Sequence, residues 1–335
     1  MQKEQRRKMK NVLIYGTLGP ACGNVETLRQ MFAEGMDGMR LNLSHTTLEQ
    51  ASGLLEAFQR AADASGVRPE LLIDMQGPEL RIGRLDAPVL LHDGDVLKAD
   101  TLPFPVEVHH ALKNAAPGQE LLLDDGKILL KTETPDRLIT VRGGRLESRK
   151  SVALPGCAVC PPAMTEADRT HIKQAKSFGV TAVMQPFVRG KDDLQAVRCA
   201  LDSAGAAEIR LFAKVENLAG IAHLAELIPH CDEIVIARGD LGNAMPLWEL
   251  PAAQKRIAAA CREASRDFMV VTQMLDSMMH RQVPTRAEVS DIFNAVLDGA
   301  ASVMVTGETA SGEYPVAAIR YLCKTVREAE AYRNA

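Results

Sequence analysis

The segment Ile209–Gly242, IRLFAKVENLAGIAHLAELIPHCDEIVIARGDLG, constrains the fold more than any other stretch of the chain. It reads as a strand, a helix and a second strand: two short β-branched runs separated by a piece with helical apolar spacing. Each strand ends in charge, with Lys214 and Glu216 closing the first and Arg238 and Asp240 the second. A buried apolar strand ends in such groups when they converge on a ligand, and in a parallel α/β protein ligands bind at the carboxyl ends of the strands. A cation and two carboxylates there suit a divalent metal and a phosphate, and so phosphoryl transfer.

The same alternation runs through the chain. Strands are predicted at 11–16, 36–44, 70–76, 181–187, 209–216, 232–240, 268–274 and 301–309. Amphipathic helices follow most of them, most clearly at 26–35, 286–299 and 314–332, where apolar residues recur at i, i+3 and i+4. Eight strands each leading to a helix through short loops describe an α/β fold, a (β/α)8 TIM barrel. Between Ile82 and Lys150 the helical period gives way to VLLHDGDVLKAD, ELLLDDGKILLKTE and RLITVRGGR, with Asp-Gly and Gly-Gly turns and breaks at Pro103 and Pro105. That is too long for a loop and predicts a small all-β domain inserted after the third strand, placed as a lid. The expected division is therefore a barrel of 1–81 and 151–335 and an insertion of 82–150.

Composition removes several alternatives. A net charge of -4 gives no sign of a nucleic-acid or anionic-membrane partner. No apolar run reaches the ~18 residues of a membrane span. The basic start MQKEQRRKMK lacks the apolar stretch of a signal peptide and reads as a solvated tail. Seven scattered cysteines suit free thiols in a reducing cytoplasm. Cys157 and Cys160 have C-x-x-C spacing, but no second pair completes a zinc site.

The rim of the predicted barrel carries the chemistry. Alternation puts Arg40, Asn42 and Ser44 on one face of the second strand, and Asp74 ends the third. Arg40 suits bidentate binding of a phosphate or carboxylate. The oxygens of Asn42, Ser44 and Asp74 suit a monovalent cation as well as a divalent one, although Ser44 could equally cap a helix. Glu216 and Asp240 end adjacent strands and can hold a magnesium or manganese ion completed by substrate oxygens and water. Lys214 lies on the same side of its strand as Glu216 and can neutralise a phosphoryl group in flight. Gly239 and Gly242 allow a tight backbone, from which a short helix would aim free N–H groups at an anion. Thr272 ends the seventh strand, and its hydroxyl could position water or relay a proton, or be an ordinary strand threonine. The eight histidines show no metal-ligand spacing, and no Ser-His-Asp set, Walker loop or dinucleotide fingerprint competes.

These motifs, in this order, resemble the pyruvate kinase family. The match runs through GTLGPA (16–21), RLNLSH (40–45), DMQGPELRIG (74–83), LLLDDGKILL (121–130), KSVALPG (150–156), AKVEN (213–217), IARGDLG (236–242), VTQMLDSM (271–278), PTRAEVSD (284–291), NAVLDGA (294–300) and VTGETASGEYP (305–315). The resemblance implies a (β/α)8 barrel with a β lid after the third strand, and transfer of the phosphoryl group of phosphoenolpyruvate to ADP. It implies Mg2+ or Mn2+ on Glu216 and Asp240, and K+ on Asn42, Ser44, Asp74 and the carbonyl of Met75. By the same resemblance Lys214 and Arg40 act on the phosphoryl group, backbone amides of Gly239 and Asp240 take the carboxylate, and Thr272 assists enolate protonation. Thr17, Pro20, Asn42, His45, Arg81 and Arg149 are implied on the nucleotide side.

Departures from the family pattern are local. Asp74-Met75-Gln76-Gly77-Pro78-Glu79 stands where Asp-Thr-Lys-Gly-Pro-Glu is usual, Arg149-Lys150 replaces a lysine pair, Pro186 replaces a serine, and the lid is short. Glu79 stands where potassium-independent members tend to carry lysine, so potassium dependence is expected. The chain stops after the eighth barrel helix, so the C-terminal domain of the family, with its effector site, is expected to be absent and a homodimer through the barrel is a possible assembly. Two other readings compete: a metal-dependent lyase or aldolase of pyruvate enolates, and a non-catalytic binder of a phospho-ligand.

Overall fold

A computed structural model describes residues 11–124, 126–155, 157 and 161–335. The basic tail and Cys160 lie outside the described residues, and the six described cysteines are free thiols. Eight strands form where the sequence places them: β1 (Leu13–Thr17), β2 (Gly38–Asn42), β3 (Glu70–Asp74), β4 (Ala182–Gln185), β5 (Arg210–Val215), β6 (Glu233–Ala237), β7 (Asp267–Val271) and β8 (Ser302–Met304). Each pairs in parallel with its sequence neighbours and β8 returns to β1, closing the barrel.

Period-two alternation divides the strands' side chains between two cores. Tyr15, Leu72, Met184, Phe212, Val235, Met269 and Met304 point inward and fill the barrel. Ile14, Leu41, Leu71, Ile73, Leu211, Ile234 and Val270 point outward into the layer covered by the helices. The helices begin on sequence-coded caps. Asn24 accepts from the Thr27 amide at 2.9 Å to start Val25–Glu34. Thr165 with Asp168, and Thr285 with Glu288, form capping boxes for Glu166–Ala175 and Arg286–Leu297.

All the predicted strands but the first overran their carboxyl ends. The pairing of β6 with β7 stops at Ala237 and Val271, because Thr272 and Gln273 turn to φ 78° and 55° and leave the ladder. Arg238–Asn243 is then a short helix rather than strand. Likewise Thr306 starts a helical turn, Gly307–Ala310, instead of extending β8.

The inserted unit runs from Pro78 to Pro162, wider than 82–150 at both ends, and the barrel unit comprises the residues up to Gly77 with Ala163–Ala335. The insertion has a five-stranded antiparallel sheet, a separate two-stranded ladder of Val89–Leu91 with Gly144–Leu146, and its own apolar core around Leu102, Val108, Leu121 and Leu130. It also contains a helix, Val106–Lys113, that the loss of helical period had argued against. Two β-branched residues in its first turn disguise it, but Val108 and Leu112, four apart, both face the core.

Candidate active site

At the carboxyl end of the barrel the inward-facing series changes from apolar to ionic. Two residues beyond Leu72 comes Asp74, and two beyond Phe212 comes Lys214. Asp74 is 2% exposed and accepts from Arg40 Nε at 2.8 Å. The second Arg40 contact to the same oxygen, from Nη2, is 2.6 Å. Lys214 Nζ donates to Asp74 Oδ2 at 3.0 Å and Oδ1 at 3.3 Å, and lies 2.8 Å from Glu216 Oε1. Glu216 Oε2 accepts from the backbone amide of Phe187 at 2.8 Å. Arg40, Asp74, Lys214 and Glu216 thus form one alternating chain of charge across β2, β3 and the end of β5.

Burial acts on each member, and pairing decides the outcome. Burial would raise the Asp74 carboxyl, but the Lys214 and Arg40 cations overcome it and hold the group below its ordinary range. Burial would lower Lys214, yet Asp74 and Glu216 push it above the usual lysine value. Glu216 is pushed up to about 7, chiefly by burial, with Asp240 and Asp74 adding to it against the pull of Lys214. Asp240 stands in the first turn of the Arg238–Asn243 helix, close enough for its charge to act on Glu216.

This donor set fits a divalent ion. Three carboxylates, Asp74, Glu216 and Asp240, face two cations, Lys214 and Arg40, which leaves a net negative charge when all are ionised. Glu216 Oε1 is buried and meets the Lys214 ammonium at 2.8 Å. A carboxylate oxygen carries two lone pairs, so this one can meet a metal as well as the ammonium. Among the described residues no three His, Cys, Asp or Glu side chains converge to hold an ion unaided. A metal on Glu216 and Asp240 would complete its shell with substrate and water, as magnesium commonly does.

A second oxygen-rich corner adjoins Asp74. Asn42 Oδ1 accepts from the Ser44 amide at 3.2 Å, drawing the two residues into a tight turn. The Met75 amide donates to the Met184 carbonyl at 3.2 Å. The turn after Met75 is clamped by Asp168, a residue the sequence analysis passed over. Fully buried, it accepts from the Gln76 amide at 2.9 Å, the Gly77 amide at 3.0 Å and the Thr165 amide at 2.8 Å. The signal was present in Thr165-Glu166-Ala167-Asp168, a capping-box pattern whose acidic member also holds the loop. Gly77 is required here: it sits at φ 59°, and a Cβ would lie 2.4 Å from Cγ of Pro186.

Across the site, the Arg238–Asn243 helix abuts Thr272. A Cβ on Gly239 would lie 2.9 Å from Thr272 Cγ2, so the close approach needs glycine. Arg238, expected to converge on a ligand with its neighbours, instead donates to the carbonyls of Thr272 and Gln273. Its charge serves the backbone of the next strand's loop.

Of the residues expected on the nucleotide side, Thr17 lies next to the ionic chain, with its Oγ1 3.4 Å from Arg40 Nη1. Its amide donates to Thr309 Oγ1 at 2.8 Å, which gives the Thr306–Thr309 motif a holding role. Pro20 and His45 are exposed. In the inserted unit, Arg81 pairs with Glu79 at 2.8 Å and donates through Nη1 to the Arg149 carbonyl at 2.8 Å.

A closed parallel barrel with three carboxylates, a buried lysine and an arginine at its carboxyl rim, where barrels of this class carry their active sites, defines an α/β-barrel enzyme. The sequence matches the family "Pyruvate kinase, barrel domain" over residues 9–319. It is 38% identical to the pyruvate kinase of Mycobacterium intracellulare, covering 92% of this chain and 68% of that one. Identity to the pyruvate kinase of Aeropyrum pernix is 36%, over 93% and 69% of the two chains, and to that of Methylorubrum extorquens 37%, over 97% and 70%. The chain belongs to the pyruvate kinase family.

Proposed function

We propose that this protein is a pyruvate kinase: it transfers the phosphoryl group of phosphoenolpyruvate to ADP and protonates the enolate to pyruvate. The observation that carries this reading is Lys214, buried between Asp74 and Glu216 with Arg40 on the far side of Asp74. An ammonium so held is fixed before any ligand arrives, which is what stabilising a migrating phosphoryl group requires.

In the reaction a β-phosphate oxygen of ADP bonds to phosphorus as the bond from phosphorus to the enol oxygen breaks. The enolate leaves with the electron pair, and its methylene carbon then takes a proton. Lys214 and Arg40 hold the phosphoryl oxygens throughout, so charge redistributes against fixed cations. Glu216 and Asp240 would hold Mg2+ or Mn2+, which when bound supplies Lewis-acid stabilisation of the developing enolate charge. Asn42, Ser44, Asp74 and the Met75 carbonyl would hold K+. Backbone amides at Gly239 and Asp240, in the first turn of a helix, orient the substrate carboxylate. The Thr272 hydroxyl delivers the proton, directly or through water. Thr17, Pro20, Asn42 and His45 are the barrel's proposed nucleotide contacts, and Arg81 and Arg149 are those proposed on the inserted unit. No helix of the described residues is long and apolar enough to cross a membrane. We assign the enzyme to the cytoplasm and its self-association to the barrel.

The test is pyruvate formation from phosphoenolpyruvate and ADP with magnesium and potassium, comparing the parent with Lys214→Met. Turnover in the parent that disappears in the variant supports the reading. A parent with no turnover, stabilised thermally by the same ligands, refutes it and leaves a phospho-ligand binder.

A further inference from the structure

Thr272 is a β-branched residue at φ 78°, followed by Gln273 at φ 55°. Left-handed backbone is strained for such side chains and persists only where the surroundings over-determine it. The surroundings are chiefly Arg238. Its Nε and Nη2 donate to the Thr272 carbonyl at 3.1 and 2.8 Å, and Nη2 also reaches the Gln273 carbonyl at 3.1 Å and the Met274 sulfur at 3.1 Å. Nη1 is tied to Asp291 Oδ2 at 2.5 Å, on the Arg286–Leu297 helix. The side chain is 10% exposed. Only a planar fork meets acceptors in this arrangement, and a lysine cannot reproduce it.

The same short helix constrains Thr272 twice. Arg238 pins its carbonyl, and Gly239, the next residue, sits against its Cγ2. With the carbonyl and one branch of the side chain both held, the remaining branch, the hydroxyl, has its direction set.

From this geometry we infer that Arg238 is a positioning residue that aims the Thr272 hydroxyl at the substrate, with Asp291 as its anchor. The inference rests on the proton-delivery role of Thr272 proposed above. A cavity of about 350 Å³ opens beside the anchor, bounded by Arg238, Gln254, Lys255, Asp291 and Asn294. Asp291 therefore borders open space, where a conservative change disturbs packing least.

A double-mutant cycle of Arg238→Lys and Thr272→Ala tests the inference. The readouts are kcat, KM for phosphoenolpyruvate, and exchange of pyruvate methyl protons with D2O in the presence of magnesium, potassium and ATP. Arg238→Lys is expected to slow exchange and kcat by roughly 10–100-fold, the scale of a misaimed catalytic group, with KM changed by less than about threefold. In the Thr272→Ala background the same change should cost less than about twofold, because the group it aims is gone. Asp291→Asn should lower exchange in the same direction by less, with an unchanged melting temperature, and it decides the matter if Arg238→Lys does not fold. Full additivity of the two losses, or unchanged exchange in a folded Asp291→Asn, overturns the positioning role. Unchanged exchange in Thr272→Ala alone overturns the reading of Thr272 itself, and the inference with it.

Discussion

Replacing Lys214 by methionine should alter stability in a pH-dependent way that follows from the ion chain. Lys214 is the cation next to Glu216, and it shares Asp74 with Arg40. Removing one partner of a buried pair costs about 3–5 kcal/mol when the other stays charged. Asp74 keeps Arg40. Glu216 keeps the Phe187 amide but no cation, so it escapes the cost by taking a proton. In the parent its folded pKa is already pushed up to about 7, against an unfolded value of about 4.3. A carboxyl with a raised folded pKa binds more protons folded than unfolded, so its contribution to stability falls as pH rises through that interval. In the parent the fall is complete a little above 7. In Lys214→Met the pKa rises further, so the fall continues, at about 1.4 kcal/mol per pH unit. The variant's deficit should therefore be smallest near pH 6 and widen above pH 7, towards about 3–5 kcal/mol. Urea unfolding of both proteins at pH 6, 7 and 8.5, followed by circular dichroism, measures it. A deficit that is flat or shrinks with rising pH refutes this account of Glu216.

Other consequences are simpler. Glu233, buried and bonded to Ser302, is pushed up to about 7 chiefly by burial. Glu233→Gln should remove a loss of stability that the parent suffers between about pH 4.3 and 7, on the order of 3 kcal/mol in all, so the two stability profiles should diverge as pH rises. Asp168→Asn turns an amide NH2 towards backbone N–H groups and should cost about 1–3 kcal/mol, with hydrogen exchange accelerated at Gln76 and Gly77; unchanged protection of those two amides would contradict the clamp. Replacing potassium by tetramethylammonium should lower turnover sharply, and full activity without potassium would refute the proposed site at Asn42, Ser44 and Asp74.

Most of the barrel was legible because period-two apolar runs alternate with helical periods, and this pattern survives local noise. Strand ends were less legible. Apolar character continues through Val270-Val271 into Thr272, and nothing in residue type announces that φ turns positive there. The Val106–Lys113 helix was hidden by β-branched residues, whose preference the core contacts of Val108 and Leu112 override. Lys214, Glu216, Asp74 and Arg40 were readable because charge ending a buried strand is anomalous. Asp168 was not singled out: its cap signature explains it locally, and the second half of its hydrogen bonding is to a loop about ninety residues earlier. Arg238 was noticed and misassigned, since charge at a strand end says that a group is satisfied by something without saying whether that is ligand or backbone.

The layering of the barrel explains why this end can hold so much charge. Phe212, Leu72, Val235 and Met269 form an apolar plug beneath the rim, completely buried. The ions above it are thus screened weakly from below, which strengthens their mutual attraction as well as the cost of leaving any of them unpaired. Arg40, Asp74, Lys214 and Glu216 meet that condition by pairing in sequence, each on a strand whose register the plug fixes. The desolvation of Lys214 is therefore met during folding rather than on binding, and a phosphoryl group arriving there, as proposed, would find a cation that does not have to reorganise. Glu216 is the exception in the chain, raised towards neutrality by burial although Lys214 sits beside it. A divalent ion would hold it ionised, which makes the least stable member of the ion chain its natural point of attachment.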